Sequence, residues 1–298
     1  MNAQTATKPN GKNAVVTGTN SGIGLSTSIH LASAGYNVFA GMRNTAKADD
    51  LLAAASAAGV ELTVLQLDVA DDNSVQTAFS KARETGPVDL LVNNAGVGGS
   101  TPLEIVPMAE HKQMFEANYF GTVRCIQAVL PEMRERNSGT IVNVSSVEGI
   151  LAVPDQTAYS ASKWAVEGMS EALAHEVKRF GIRVVIIEPG VIMTKIFENS
   201  APATRYDKTS PYKDIMRRNG KMFVAGFKQA TPPEEVAAVI LEASETANYK
   251  LRWPVGPDAH SMIDGRAKMT DEEWVDMGDD LTDQEYNELF AARFNIDL

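Results

Sequence analysis

Cysteine is nearly absent from this chain, with Cys125 the only one. An intrachain disulfide and a thiolate metal cluster are thereby excluded, and the residue reads as a small core filler on a helix. Histidine is scarce too: His30, His111, His175 and His260 are scattered, with no pair at ligand spacing, so no metal site is expected. Basic residues are outnumbered, 27 against 38 acidic ones, which leaves a net charge of −11. Nucleic acid and anionic membranes would repel such a chain, so a small molecule is the natural partner. No apolar run approaches the ~20 residues of a membrane span. The opening stretch MNAQTATKPNGK lacks the apolar core of a signal peptide, and a cytoplasmic location is the resulting expectation.

What the chain does have is a regular alternation. Short apolar runs at 14–16, 38–40, 62–67, 89–92, 140–144, 183–187 and 251–253 read as buried strands. Helical spacing covers 23–34, 46–58, 71–84, 110–136, 157–180 and 232–243. Strands that alternate with helices pair in parallel, because a parallel neighbour is reached only through a crossover that then covers a sheet face. The expected fold is α/β, a doubly wound parallel sheet in a single domain over 13–257. Residues 1–12 read as a flexible leading segment, and 258–298 as an acidic helical extension packed on the body or on a partner subunit. Residues 195–228 mix Pro, Ser, Asn and Lys with aromatic residues, and they read as an irregular insertion serving as a substrate lid.

Between the first strand and the first helix stands Thr17-Gly18-Thr19-Asn20-Ser21-Gly22-Ile23-Gly24. Gly18 permits a tight turn, Gly22 lets the backbone approach a pyrophosphate, and Gly24 lets helix and strand pack closely. The phosphate would then sit at a helix N-terminus, where free N–H groups favour an anion. The second strand runs into Phe39-Ala40-Gly41-Met42-Arg43-Asn44, with no carboxylate to bind a ribose 2′-hydroxyl. Arg43 could instead grip a 2′-phosphate, so NADP(H) is preferred and NAD(H) stays possible. A glycine loop of this kind could also hold another adenine-containing ligand.

Tyr159 and Lys163 lie four residues apart within a helical stretch, so they share a face. A tyrosine titrates near about 10, and a neighbouring ammonium would bring its phenol towards acid or base work at neutral pH. Such a pair alone is more often a surface feature than a site. Its surroundings matter: Asp68-Val69, NNAG at 93–96, Asn118 in ANYFGT, NVSS at 143–146, YSASK at 159–163 and PGVIMT at 189–194.

In this order and spacing, from about residue 12 to 194, the sequence resembles the short-chain dehydrogenase/reductase family, which implies a Rossmann-type fold. The resemblance makes Tyr159 the acid/base and Lys163 the group that lowers its pKa and binds the nicotinamide ribose. Ser146, thirteen residues before the tyrosine, would bind the substrate oxygen, with Ser145 the lesser candidate. Asn118 would hold a water in a proton relay. Asp68 and Val69 would flank adenine, and Asn94, Ala95 and Gly96 would line the cofactor cleft. Pro189, Gly190, Ile192 and Thr194 would hold the nicotinamide end.

Ser21 departs from the family pattern, standing where many NADP-dependent relatives carry a second basic residue. Glu148 stands at a position that is often small or apolar; it is either a solvated loop carboxylate or a substrate contact. Val191 and Phe197 are further substrate candidates, and Met193, Tyr206, Met222 and Phe223 could join them in an apolar lid. The resemblance implies reversible hydride transfer between NADP(H) and a ketone, aldehyde or alcohol, with a mid-sized hydrophobic substrate. It also implies a homodimer or homotetramer assembled through 110–136 and 157–180. A non-catalytic NADP(H)-sensing protein is the alternative.

Overall fold

The structure is a computed structural model that describes residues 11–194 and 204–298. Among these, seven strands form one parallel sheet in the order β3-β2-β1-β4-β5-β6-β7. They are β1 (Asn13–Thr17), β2 (Asn37–Met42), β3 (Thr63–Gln66), β4 (Val88–Asn93), β5 (Gly139–Val144), β6 (Ile182–Pro189) and β7 (Arg252–Val255). The doubly wound α/β arrangement expected from the alternation is therefore present, of Rossmann type. Strand order reverses between β1 and β4, where Val15 pairs with Leu91 and Val16 with Val92.

Side chains alternate across the sheet, and each face carries its own core. Val15 and Leu91 pack with Phe79, Val129 and Leu173 on one face. On the other, Val16 and Val92 pack with Leu31, Val236 and Ile240. The first core is covered by α3 (Asp72–Ala82), α5 (Gly121–Arg136) and α6 (Thr157–Val177). The second lies under α1 (Gly22–Ser33) and α8 (Pro233–Glu245), which are tied by the Ser26 hydroxyl donating to Glu234 at 2.9 Å. Helix α2 (Asp49–Ala58) flanks β2 and β3 and ends at Gly59, whose φ of +67° is the usual left-handed stop. Cys125 is buried in α5, and burial pushes its thiol up to about 12.

Two expectations need correction. The stretch 110–136 is not one uniform helix: α4 (Met108–Phe115) passes through a π turn at Glu116–Phe120 into α5. Nor is 195–228 irregular throughout, because Lys213–Lys228 forms α7, a 16-residue helix. Its spacing was masked because polar Arg218 and Asn219 occupy buried positions beside Met216 and Ala225. Beyond β7 come α9 (Pro257–Arg266), α10 (Asp271–Asp276) and α11 (Asp283–Phe294), the last two each opened by a capping box. Phe290, Phe294 and Ile296 pack against Val147, Leu151 and Ala225, and Asp283 is bound by Arg217 at 2.5 Å and Lys221 at 2.9 Å. No described helix is long and apolar enough to cross a membrane.

Candidate active site

The C-terminal ends of β4, β5 and β6 open into a cavity of about 640 Å³ at the reversal of strand order, where open parallel sheets bind ligands. One rim is the glycine loop. Gly18 and Gly22 have φ of +72° and +57°, the left-handed region that favours glycine. A Cβ on Gly24 would fall 2.3 Å from the Gly18 carbonyl oxygen and 2.5 Å from Asn94 Nδ2, so helix and strand meet closely there. Asn94 Nδ2 donates to Thr17 O at 2.9 Å, while the Asn94 and Ala95 N–H groups donate to Thr17 Oγ1. Ser21 precedes α1 in extended conformation and makes no side-chain cap, so the helix N-terminus presents its N–H groups to an anion. Asn20 lies partly buried beside it. These features fit a dinucleotide pyrophosphate.

Of the residues expected around the cofactor, Ile23, Asn94, Gly96, Pro189, Gly190, Ile192 and Thr194 line the cavity itself. Arg43, Asp68 and Val69 lie apart from it, beyond the ends of β2 and β3. Arg43 is exposed and makes no ion pair among the described residues. Asp68 shapes its own turn, accepting from the Ala70 N–H at 3.1 Å. Val69 is buried, and its Cγ2 would lie 2.6 Å from a Cβ on Gly121.

The candidate reaction centre joins β5 to the first turns of α6. Ser146 opens a short 3-10 turn, Val147–Gly149, and its hydroxyl accepts the Glu148 N–H at 3.1 Å. Tyr159 lines the cavity together with Ser146, whose hydroxyl acts to lower the phenol's pKa. Lys163 is buried, donates from Nζ to Val144 O at 2.9 Å, and stands 5.7 Å from the Tyr159 ring centre. Burial brings its ammonium down to about 8, opposed by Glu167 and Glu148.

The phenol differs from expectation. Burial first, and then the Glu148 carboxylate, hold Tyr159 above the ordinary tyrosine range, and only the Ser146 hydroxyl opposes them. The protein's own groups thus keep the phenol protonated at neutral pH, as a proton donor in carbonyl reduction requires.

Asn118 sits in the π turn. Its Oδ1 accepts the Val97 N–H at 2.8 Å, and its Nδ2 donates to Val97 O at 3.0 Å and Ser162 Oγ at 2.9 Å. Ser162 Oγ donates in turn to the Tyr159 carbonyl at 2.7 Å. Both amide hydrogens are therefore spent on protein, and the side chain straps the loop after β4 to the tyrosine helix.

Glu148 is not a solvated loop residue. It is buried, lines the cavity, and accepts from Gln156 Nε2 at 2.9 Å and Ser160 Oγ at 2.8 Å. Burial pushes its carboxyl up to about 8.

The outer walls are largely apolar. Val191, Tyr206, Met222 and Phe223 line the cavity, whereas Met193 is exposed away from it. Phe197 lies outside the described residues. Sequence reasoning missed Asp258, which accepts the Val191 N–H at 2.6 Å and pins the turn after β6. It also missed Asn219, Met262 and Ile296, which reach the cavity from α7, α9 and the end of the chain. No local spacing marks them.

Residues 12–205 match the family model described as short chain dehydrogenase. Retinol dehydrogenase 8 of Homo sapiens is 43% identical over 245 residues, 78% of this chain and 78% of that protein. A short-chain dehydrogenase from Streptomyces avermitilis superposes with a TM-score of 0.76 at 35% identity, covering 93% of this chain and 99% of that one. An actinorhodin polyketide ketoreductase variant solved with NADPH gives a TM-score of 0.71 at 29% identity, over 82% and 95%. The chain belongs to the short-chain dehydrogenase family. Within that class it is an NAD(P)-dependent oxidoreductase.

Proposed function

We propose that the protein interconverts a mid-sized, lipophilic ketone or aldehyde and its alcohol, using NADP(H) in preference to NAD(H). The observation that carries the reading is that Ser146, Tyr159 and Lys163 line one cavity with Met216, Met222 and Phe223. Bound NADPH supplies the hydride. Ser146 would hold the substrate oxygen and stabilise its developing charge, while Tyr159 passes that oxygen its proton. Lys163, anchored on Val144 O, would bind the nicotinamide ribose. Asn118 keeps the tyrosine helix against the loop after β4 and has one lone pair left for a water in the relay. Glycines 18, 22 and 24, with the α1 N-terminus, would cradle the pyrophosphate. Asp68 and Val69 would border the adenine, and Pro189 to Thr194 the carboxamide end.

The preference for NADP(H) rests on Arg43, an exposed guanidinium without an ion pair among the described residues, one residue past β2 where no carboxylate stands. The NADPH complex of the actinorhodin ketoreductase is consistent with it. The lipophilic substrate class rests on the apolar walls and on the likeness to a retinol dehydrogenase. Val191, Phe223 and Phe197 are the side chains proposed to meet it. Exposed Phe120 and Trp164, on the two long helical segments, suit a homodimer or homotetramer contact.

The test is steady-state turnover with NADPH and with NADH across retinoid, steroid and short polar carbonyl compounds, for wild type and Tyr159→Phe. Turnover should favour NADPH and lipophilic compounds. Tyr159→Phe should lose at least about 10²-fold in kcat with NADPH binding retained. Activity surviving in Tyr159→Phe, or none in wild type across the panel, would overturn the reading.

A further inference from the structure

Glu148 touches both halves of the reaction centre. Its backbone N–H donates to Ser146 Oγ at 3.1 Å. Its carboxylate is gripped by Gln156 and Ser160 at 2.9 and 2.8 Å, and these residues flank Tyr159 at the start of α6. One residue therefore bridges the turn that carries the serine and the helix that carries the tyrosine. Both of its partners are neutral donors, and all three residues are buried. A surface carboxylate would have no reason to be built in this way, since a buried carboxyl is costly unless its bonds are satisfied.

We propose that Glu148 is a positioning residue that sets the Ser146–Tyr159 geometry, and that its charge makes the tyrosine's proton transfer depend on pH. The first part follows from the clasp. Misplacing reacting groups by about 1 Å can cost about 10²-fold in rate. The second follows from placement of Glu148 and Tyr159 in one cavity, where an anion beside a phenol disfavours phenolate. Burial pushes Glu148 to about 8, so this charge develops within the ordinary working range of pH.

The other charged groups around Glu148 are few. Lys163 and Tyr159 face it from α6. Asp155 and Asp258 line the same cavity from the loop before α6 and from α9, and Arg205 and Arg217 line its outer part. Glu167 of α6 and Glu188 of β6 pair with Arg252. Of the carboxylates among them, only Glu148 bears on the Tyr159 phenol. The two groups then titrate as a coupled pair.

The inference rests on the proposed dehydrogenase reading, and its test separates the two. Wild type, Glu148→Gln, Glu148→Ala and Ser160→Ala are compared in alcohol oxidation over a range of pH, with NADPH binding measured as a check of folding. Glu148→Ala should lose about tenfold to a hundredfold in kcat with its KM for the cofactor within about twofold of wild type. Glutamine can keep both contacts, since the Ser160 hydroxyl accepts as well as donates, so Glu148→Gln should recover most of kcat. The acid limb of its profile should nevertheless move to lower pH, because the anion that opposed phenolate is gone.

Ser160→Ala, which breaks one contact and leaves the carboxyl, should lower kcat less than Glu148→Ala; if Glu148→Ala fails to fold, it carries the geometric arm. A Glu148→Gln profile that superimposes on wild type would overturn the electrostatic role. Unchanged kcat in Glu148→Ala, or in Ser160→Ala where that variant stands in, would overturn the positioning role. An inactive wild type would count against the dehydrogenase reading instead.

Discussion

At the scale of single residues, Glu188 on β6 shows how burial sets charge. It lies 3.5 Å from Arg252, whose guanidinium already serves Glu167 at 3.0 Å and Glu171 at 2.7 Å. Burial and then the Glu167 charge push Glu188 up to about 7. In the unfolded chain a glutamate releases its proton near about 4.3. The native state thus binds more protons between those values, and this group's contribution to stability falls as pH rises from about 4.3 to 7. Glu188→Gln removes that loss. Urea unfolding should find the variant more stable than wild type at pH 8, with little difference at pH 5; an equal gain at both would contradict the assignment.

Helical spacing puts Tyr159 and Lys163 on one face, but it is the family resemblance that points to them, and to Ser146, as candidate site residues. The burial of Glu148 and Glu188 was not legible in the sequence, since nothing in SVEG or IIEPG says which side chain faces water.

Among the elements, the turn from β1 to α1 was the clearest in the sequence, and the structure shows why its spacing is so constrained. Gly24→Ala would place a methyl group 2.3 Å from the Gly18 carbonyl, a backbone atom that cannot yield cheaply. The loop must shift, and the outcome expected in a fluorescence titration is weaker NADPH binding, with turnover recovering at saturating cofactor; unchanged affinity would mean that the loop does not hold the pyrophosphate. The π turn at 116–120 was hidden, because one extra residue in a turn hardly disturbs hydrophobic spacing over 110–136. It nevertheless places the Asn118 side chain between Val97 and Ser162. Helix α7 was hidden for a different reason. Its buried face carries Arg218, bonded to the Leu281 carbonyl, and Asn219, bonded to Ser100 at 2.9 Å, so polarity there reports partners far away in the chain.

On the scale of the whole molecule, the acidic C-terminal stretch is part of the site's support. Phe294 is buried, has its ring centre 4.7 Å from that of Phe290, and meets α9 where Gly265 leaves no room for a Cβ. The same cluster includes Val147 and Leu151, on either side of the Glu148 turn. Phe294→Ala should therefore cost about 3–5 kcal/mol, read from the shift in the urea unfolding midpoint. A loss below about 1 kcal/mol would show that the stretch is not integral to the core.

The sequence by itself determined the α/β alternation and the dinucleotide loop, because each depends on spacing within a strand, a turn or a helix, and the family resemblance added Ser146, Tyr159 and Lys163 as the candidate set. Only the tertiary structure decided that Glu148 is a buried clasp, that Asp258 pins the turn after β6, and that Ile296 lines the cavity. Those facts depend on segments distant in sequence coming together to exclude water. Such an approach is set by packing across the whole fold, and no local pattern encodes it.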